Sequence, residues 1–202
     1  MAEKQADIFL EGEAENWLAR NINKLPVKDD PVMEAIESSK IKPDSVLEIG
    51  CSNGWRVKAM KENWDCRAYG IDPMFKTTLW NCCKGTADDL SLFENDKFDL
   101  VIYGWCLYLC DREDLFAIAM EGDRVLEDGG YLVIHDFHTA KPYKNKYKHR
   151  AGLFSYKMDY AQLWLANPAY GLIHRTMFNT GDDKTSITIL RKSISKGWPL
   201  HE

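Results

Sequence analysis

The chain has no run of about 18 apolar residues, the length a helix needs to cross a bilayer. Its opening, MAEKQADIFLEGEAEN, is acidic where a secretory leader is basic and then apolar, so a cytoplasmic protein without a membrane partner is expected. It also lacks any CxxC pair. The six cysteines, Cys51, Cys66, Cys82, Cys83, Cys106 and Cys110, have neither the density of a disulfide scaffold nor zinc-ribbon spacing, and reduced thiols are expected. Positive charge is short as well: 26 Lys and Arg stand against 31 Asp and Glu, a net charge of -5. Binding along a nucleic acid draws its affinity from cations neutralising phosphates, so this balance argues for a small-molecule partner and against DNA or RNA.

No repeat or low-complexity tract is present. With 202 residues, 45% of them hydrophobic, the chain is expected to form one domain: N-terminal helices over 1–44, a binding core over 45–137, and a partner-side insertion with the final strands over 138–202. Ala14, Trp17, Leu18, Ile22 and Leu25 recur at helical spacing and predict a helix over 12–24. Asp30 is an N-cap with Pro31 at the first helical position, and Val32, Ala35 and Ile36 supply the buried stripe of the next helix. From Ser45 short apolar runs alternate with amphipathic stretches, the pattern of a parallel sheet covered by helices on both faces. Strands are predicted at 45–50, 66–72, 82–86, 98–103, 130–136, 171–178 and 185–191, with helices at 111–126 and 157–166. The short turn Gly181-Asp182-Asp183 can join only antiparallel neighbours, so the last of the seven strands should run against the rest.

VLEIGCSNG, residues 46–54, is a strand running into a glycine-bearing turn and then a helix. Ligands of open α/β sheets bind beyond the carboxyl ends of the strands, where this turn lies. Glu48-x-Gly50-x-x-x-Gly54 resembles motif I of the class I S-adenosylmethionine-dependent methyltransferases, and with Ser52 inside the turn it does not fit the dinucleotide fingerprint G-x-G-x-x-G. Further segments resemble that family in order. Asp72, followed by Pro73, closes the second strand, where a carboxylate can accept hydrogen bonds from two ribose hydroxyls; GTADDL, FDLVIYGWCLYL and VLEDGGYLVIHDF follow. The resemblance implies a Rossmann-like fold and S-adenosylmethionine as cofactor, held by Glu48, Gly50, Cys51, Ser52, Gly54, Asp72, Pro73, Ala87, Asp88, Tyr103, Gly104 and Trp105, with Asp88 and the Ala87 backbone toward adenine. A nicotinamide oxidoreductase stays open as the alternative, since it shares the logic of Asp72. A fold that binds the cofactor without turnover is the rival from another class.

Methyl transfer from a sulfonium is an in-line displacement, so alignment and exclusion of water are the main tasks. A hydroxyl acceptor must also lose its proton. His135 and His138, at and just past the end of the fifth strand, are candidate bases, with Asp136 as an orienting carboxylate. A metal reading of this cluster has no further ligands, and no metal is expected. The stretch 141–150, KPYKNKYKHR, is basic throughout, so Lys144 and Arg150 are candidates to hold an anionic or phosphorylated acceptor. Tyr156, Tyr160 and Trp164 at four-residue spacing would share one helical face and line its pocket. Asn167-Pro168-Ala169-Tyr170 is similar to the Asn-Pro-Pro-Tyr motif of amino-group methyltransferases, but that motif belongs after the fourth strand, where GWCLYL stands. The opening EGEAENWLARN, the loop YGWCLYLCDREDL and FSYKMDY resemble methyltransferases of polysaccharide and nucleotide-sugar biosynthesis, and the opening is more loosely similar to methylases of pseudaminic acid synthesis, differing at Ala14-Glu15. A sugar or sugar-nucleotide hydroxyl is the expected acceptor, with a methyltransferase for another small molecule as the alternative.

Overall fold

In the computed structural model, which describes residues 4–25 and 28–200, Ser45–Ile49 (β1) is buried at every position, as a strand covered on both faces must be. The first segment is helical earlier than the spacing predicts: Gln5–Ile8 (α1) and Ala14–Asn21 (α2) are joined by a π-turn at Phe9–Glu13, in which Gly12 takes a φ of 141°. That glycine reads as a break, yet Ile8 and Phe9 before it pack on Leu109 and Leu153 and keep the chain coiled. Pro31–Ser38 (α3) begins as expected, with the Asp30 carboxylate accepting from the Met33 amide at 2.9 Å.

After β1 come Trp55–Trp64 (α4), Arg67–Ile71 (β2), a two-residue Cys82–Cys83 (β3) and Phe98–Gly104 (β4). The strand predicted over 82–86 is thus cut to two residues, because Gly85–Asp88 turns away to form a wall of the cleft described below. Leu115–Val125 (α5) feeds Leu126–Phe137 (β5), a strand that starts before Gly129 rather than after it. The helix predicted over 157–166 is corrected: Tyr143–Lys146 (β6) and Phe154–Lys157 (β7) form a separate hairpin, and only Gln162–Leu165 (α6) is helical. Aromatic residues at four-residue spacing fit a helix by count, but Phe154 and Tyr156 are also strand formers, and pairing with Tyr143–Lys146 decides. Tyr170–Thr180 (β8), Asp183–Lys192 (β9) and Ile194–Gly197 (α7) end the chain.

The main sheet has seven strands in the order β3-β2-β1-β4-β5-β9-β8, all parallel except β9, which runs antiparallel to both neighbours. Alternate side chains load its two faces. Val46, Leu100, Ile102 and Val133 pack under α3 and α4, while Leu47, Ile49, Val101, Tyr103 and Ile134 pack under α5 and α6. Each such apolar side chain taken fully out of water stabilises the fold by about 1.5–3 kcal/mol. Among the described residues no helix is long and apolar enough to cross a membrane.

Candidate functional site

At the carboxyl edge of β1 the chain turns sharply, and the amides of Gly50 and Cys51 both donate to the Ile71 carbonyl, at 2.9 and 3.1 Å. Gly50 has φ of 78°, and a Cβ there would stand 2.6 Å from the Cβ of Cys106 and 3.0 Å from the Gly104 carbonyl oxygen. No other residue fits. Ser52 is also left-handed, with φ of 50°; its amide donates to Asp72 Oδ2 at 2.9 Å, while the Met74 amide donates to Oδ1 at 3.0 Å. A carboxylate offers about four lone-pair sites, so both Asp72 oxygens retain accepting capacity. Burial raises the Asp72 carboxyl above the usual carboxylate range against the opposing pull of those two amides. The Ser52 hydroxyl is buried without a partner.

These groups line one side of an open cleft. Pro73, Gly85, Ala87 and Asp88 continue the wall, and the loop after β4 supplies Trp105, Cys106, Leu109 and Cys110. Its charged members are all carboxylates, Asp72, Asp88, Asp111 and Asp114; no Lys, Arg or His lines it among the described residues. The N-terminal segment closes over the top with Ala6, Phe9, Ala14 and Trp17. That strap is pinned at Gln5, whose side chain donates to the Leu109 carbonyl at 2.7 Å and accepts from the Phe154 amide at 2.7 Å. Asp111 accepts the Gln5 and Ala6 amides, and Glu13 takes Arg20, which also donates to the Tyr147 hydroxyl at 3.0 Å.

Of the cofactor residues expected from sequence, Gly50, Ser52, Asp72, Pro73, Ala87, Asp88, Gly104 and Trp105 meet at this cleft. Four do not line it. Glu48 points to the sheet face and pairs with Arg56, which grips Asp30 through Nε and Nη2 at 3.1 and 3.0 Å. Burial pushes the Glu48 carboxyl up although Arg56 beside it pulls it down. Cys51 fills the space over Gly70, where a Cβ would meet its sulfur at 2.6 Å. Gly54 starts α4 at φ of 77° and leaves room for the Cys82 sulfur, 2.8 Å from where its Cβ would be. Tyr103 is wholly buried, its hydroxyl donating to the Ile118 carbonyl at 3.1 Å and its ring 5.1 Å from Trp164. Phe9, Trp17, Asp111 and Asp114 were missed as site residues; Trp17 does fall in the helical spacing of the opening segment, but nothing local says what that helix covers.

The expectation of a base on the rim is also corrected. His135 is buried behind Trp105, whose indole lies 4.8 Å from the imidazole, and its Nδ1 has no partner. Burial, reinforced by the nearby Arg56 charge, lowers its pKa to about 4. Asp136 is buried and accepts backbone amides from Phe137 at 2.7 Å and Tyr108 at 3.2 Å, so it orients no histidine. His138 turns to Asp159, Nδ1 to Oδ1 3.5 Å, away from the cleft lining. The acceptor candidates likewise stand outside that lining. Lys144 lies on exposed β6 with its Nζ 4.3 Å above the Phe154 ring, and Arg150 is exposed in the hairpin loop. Tyr156 is on β7 and Tyr160 in the turn after it, so they do not share a helical face; Tyr160 is a core residue whose hydroxyl donates to the Tyr156 carbonyl at 2.9 Å. Among the described residues no group of three or more His, Cys, Asp or Glu is placed to hold a metal.

Residues 47–134 match the model of a family described as a methyltransferase domain. No curated protein is a significant match. Among solved structures, the chain is similar to the 1,6-didemethyltoxoflavin-N1-methyltransferase of Burkholderia thailandensis, crystallised with 1,6-didemethyltoxoflavin and S-adenosylhomocysteine, at 15% identity over 93% of this chain and 87% of that one, with a TM-score of 0.71. It is similar to the N-methyltransferase NodS of Bradyrhizobium japonicum in complex with S-adenosylhomocysteine, at 19% identity over 91% and 98% of the two chains and a TM-score of 0.63. A SAM-dependent methyltransferase from Methanosarcina mazei gives 15% identity over 79% and 97%, with a TM-score of 0.64. The likeness is one of fold, and the fold is the Rossmann-like class I methyltransferase fold.

Proposed function

We propose that the chain is an S-adenosylmethionine-dependent methyltransferase acting on a small molecule, with its cofactor held in the cleft at the carboxyl edge of β1, β2 and β4. The observation that carries this is the pairing of Asp72 with the glycine turn: a carboxylate that retains accepting capacity lines the cleft beside the Gly50–Ser52 turn, at the position where the fold receives a ribose. Bound there, S-adenosylmethionine supplies a methyl group made electrophilic by a positive sulfur. Asp72 accepts the ribose hydroxyls, Asp88 and the Ala87 backbone meet the adenine edge, and Gly50 and Gly104 let the methionine portion approach the backbone. The all-carboxylate charge of the lining suits a cationic ligand. Phe9 and Trp17 of the strap keep water from the reacting centre, and Trp105 stands at the end of β4 where the methyl would be presented.

For the acceptor, the resemblance to polysaccharide and nucleotide-sugar methyltransferases supports a sugar hydroxyl, and the exposed cations Lys144 and Arg150 on the hairpin beside the strap suit an anionic sugar nucleotide. One observation favours a second reading, an amine acceptor. A hydroxyl needs a base, and among the described residues the cleft lining offers carboxylates but no histidine, whereas a neutral amine attacks through its own lone pair and releases its proton afterwards. The test is release of S-adenosylhomocysteine from S-adenosylmethionine, followed by mass spectrometry, with a panel of nucleotide sugars and small primary amines. Turnover with a nucleotide sugar supports the hydroxyl reading, turnover with amines alone replaces it, and none with either panel overturns both acceptor classes.

A further inference from the structure

The loop from Trp105 to Asp111 supplies five residues of the cleft wall, and two residues outside the wall, buried Asp136 and half-buried Arg112, grip its backbone. Its middle is a single 3-10 turn, Leu107–Leu109, too short to hold itself. Asp136, at the end of β5, receives the Tyr108 amide at 3.2 Å, a donor that the start of such a turn leaves without a partner, and the amide of its own neighbour Phe137 at 2.7 Å. Arg112, just past the loop, donates through Nη2 to the carbonyls of Leu107, at 3.0 Å, and Cys110. Its guanidinium lies 4.1 Å above the Tyr156 ring, and Nη1 donates to the Tyr160 hydroxyl at 3.3 Å, so it is held on two further sides.

We infer that Asp136 and Arg112 are positioning residues for the proposed methyl transfer, clamping the 105–111 loop by the Tyr108 amide and by two of its carbonyls into the shape that receives the cofactor. This rests on the cofactor reading above. It also gives the buried carboxylate, the paired tyrosines and the arginine one shared task, although none of the four touches the ligand space.

A consequence follows for pH. An ionised carboxylate accepts the two amides well and a protonated one poorly. Burial raises the Asp136 carboxyl to about 7, with its backbone donors and the Arg112 charge opposing. The other titratable groups around it are the Cys106 and Cys110 thiols and the Tyr108 and Tyr160 phenols, all raised by burial and therefore neutral at pH 6–8. The clamp is therefore about half formed at pH 7, nearly complete by pH 8, and weakens as pH falls toward 6.

The experiment is titration calorimetry of the full chain with S-adenosylhomocysteine at pH 6, 7 and 8, for the native protein and for Asp136→Asn. The native affinity should tighten roughly tenfold from pH 6 to pH 8, the change expected when the competent form grows from about a tenth of the population to nearly all of it. Asp136→Asn should bind roughly tenfold more weakly than the native protein at pH 8 and show a flat profile, an effect that loss of general packing would not confine to pH. A variant with native affinity and the native profile overturns the inference. Should Asp136→Asn lose its near-ultraviolet circular dichroism, Arg112→Lys replaces it, keeping the charge but losing the fork. Weakening of about fivefold or more at pH 8 supports the clamp, and native affinity sinks it. Failure of the native protein itself to bind the ligand counts against the cofactor reading, a distinguishable result.

Discussion

Trp105 donates its backbone amide to the His135 carbonyl at 2.9 Å and sets its indole 4.8 Å from the same residue's imidazole, so the residue that lines the cleft screens the histidine beside it. Trp105 does this at φ of 54°, a conformation costing a bulky residue about 1–3 kcal/mol, and held here by Tyr108 and Phe137 set edge-on to its ring.

The screened histidine should appear in stability rather than catalysis. His135 titrates at about 4 in the folded chain against 6.5 when unfolded. Between those values the unfolded chain binds the extra proton, so this contribution to stability is present above about pH 6.5 and is lost as pH falls toward 4. Urea denaturation at pH 7 and pH 5 should show the native protein losing about 2 kcal/mol more than His135→Phe over that interval. Equal losses would mean that the imidazole is not buried as described.

Gly50 and Gly54 look equivalent in the motif but should separate by assay. Gly50→Ala drives a Cβ into Cys106 and the Gly104 carbonyl on the cleft wall, so both stability and S-adenosylhomocysteine affinity should fall. In Gly54→Ala the new Cβ meets only the Cys82 sulfur and the Phe75 ring edge, behind the wall. Thermal unfolding should show a loss of about 1–3 kcal/mol for the latter, with affinity within about twofold of native in the protein that remains folded. A Gly54→Ala protein that is stable but does not bind would place that glycine at the ligand after all.

Glu48 makes the same distinction for charge. Glu48→Gln leaves Arg56 with Asp30 as its remaining buried carboxylate partner, and breaking a buried pair costs about 3–5 kcal/mol. Chemical denaturation should register that loss, while calorimetry on the folded fraction should find cofactor affinity unchanged.

What the amino-acid order reveals here is what is local. The strand, turn and helix of VLEIGCSNG, the end of the second strand before Asp72, and the reversal at Gly181-Asp182-Asp183 are each written in contiguous residues. Which face a side chain takes is not. Glu48 and Tyr103 sit in the right segments, but one pairs with an arginine from the next helix and the other is drawn under α5 and α6. The strap is harder still, because it is held by contacts far apart in the chain, such as the Gln5 amide on Asp111, 106 residues away. The aromatic spacing of Tyr156 and Tyr160 fits a helix, and only the register with β6 shows a strand.

The central claim is that the cleft beside Asp72 is an S-adenosylmethionine site, and calorimetric titration of the native protein and Asp72→Ala with S-adenosylhomocysteine, with NAD as control, tests it most directly. The account predicts binding of S-adenosylhomocysteine alone, lost in large part in Asp72→Ala. Binding of NAD in its place, or an unchanged dissociation constant in the variant, would contradict it.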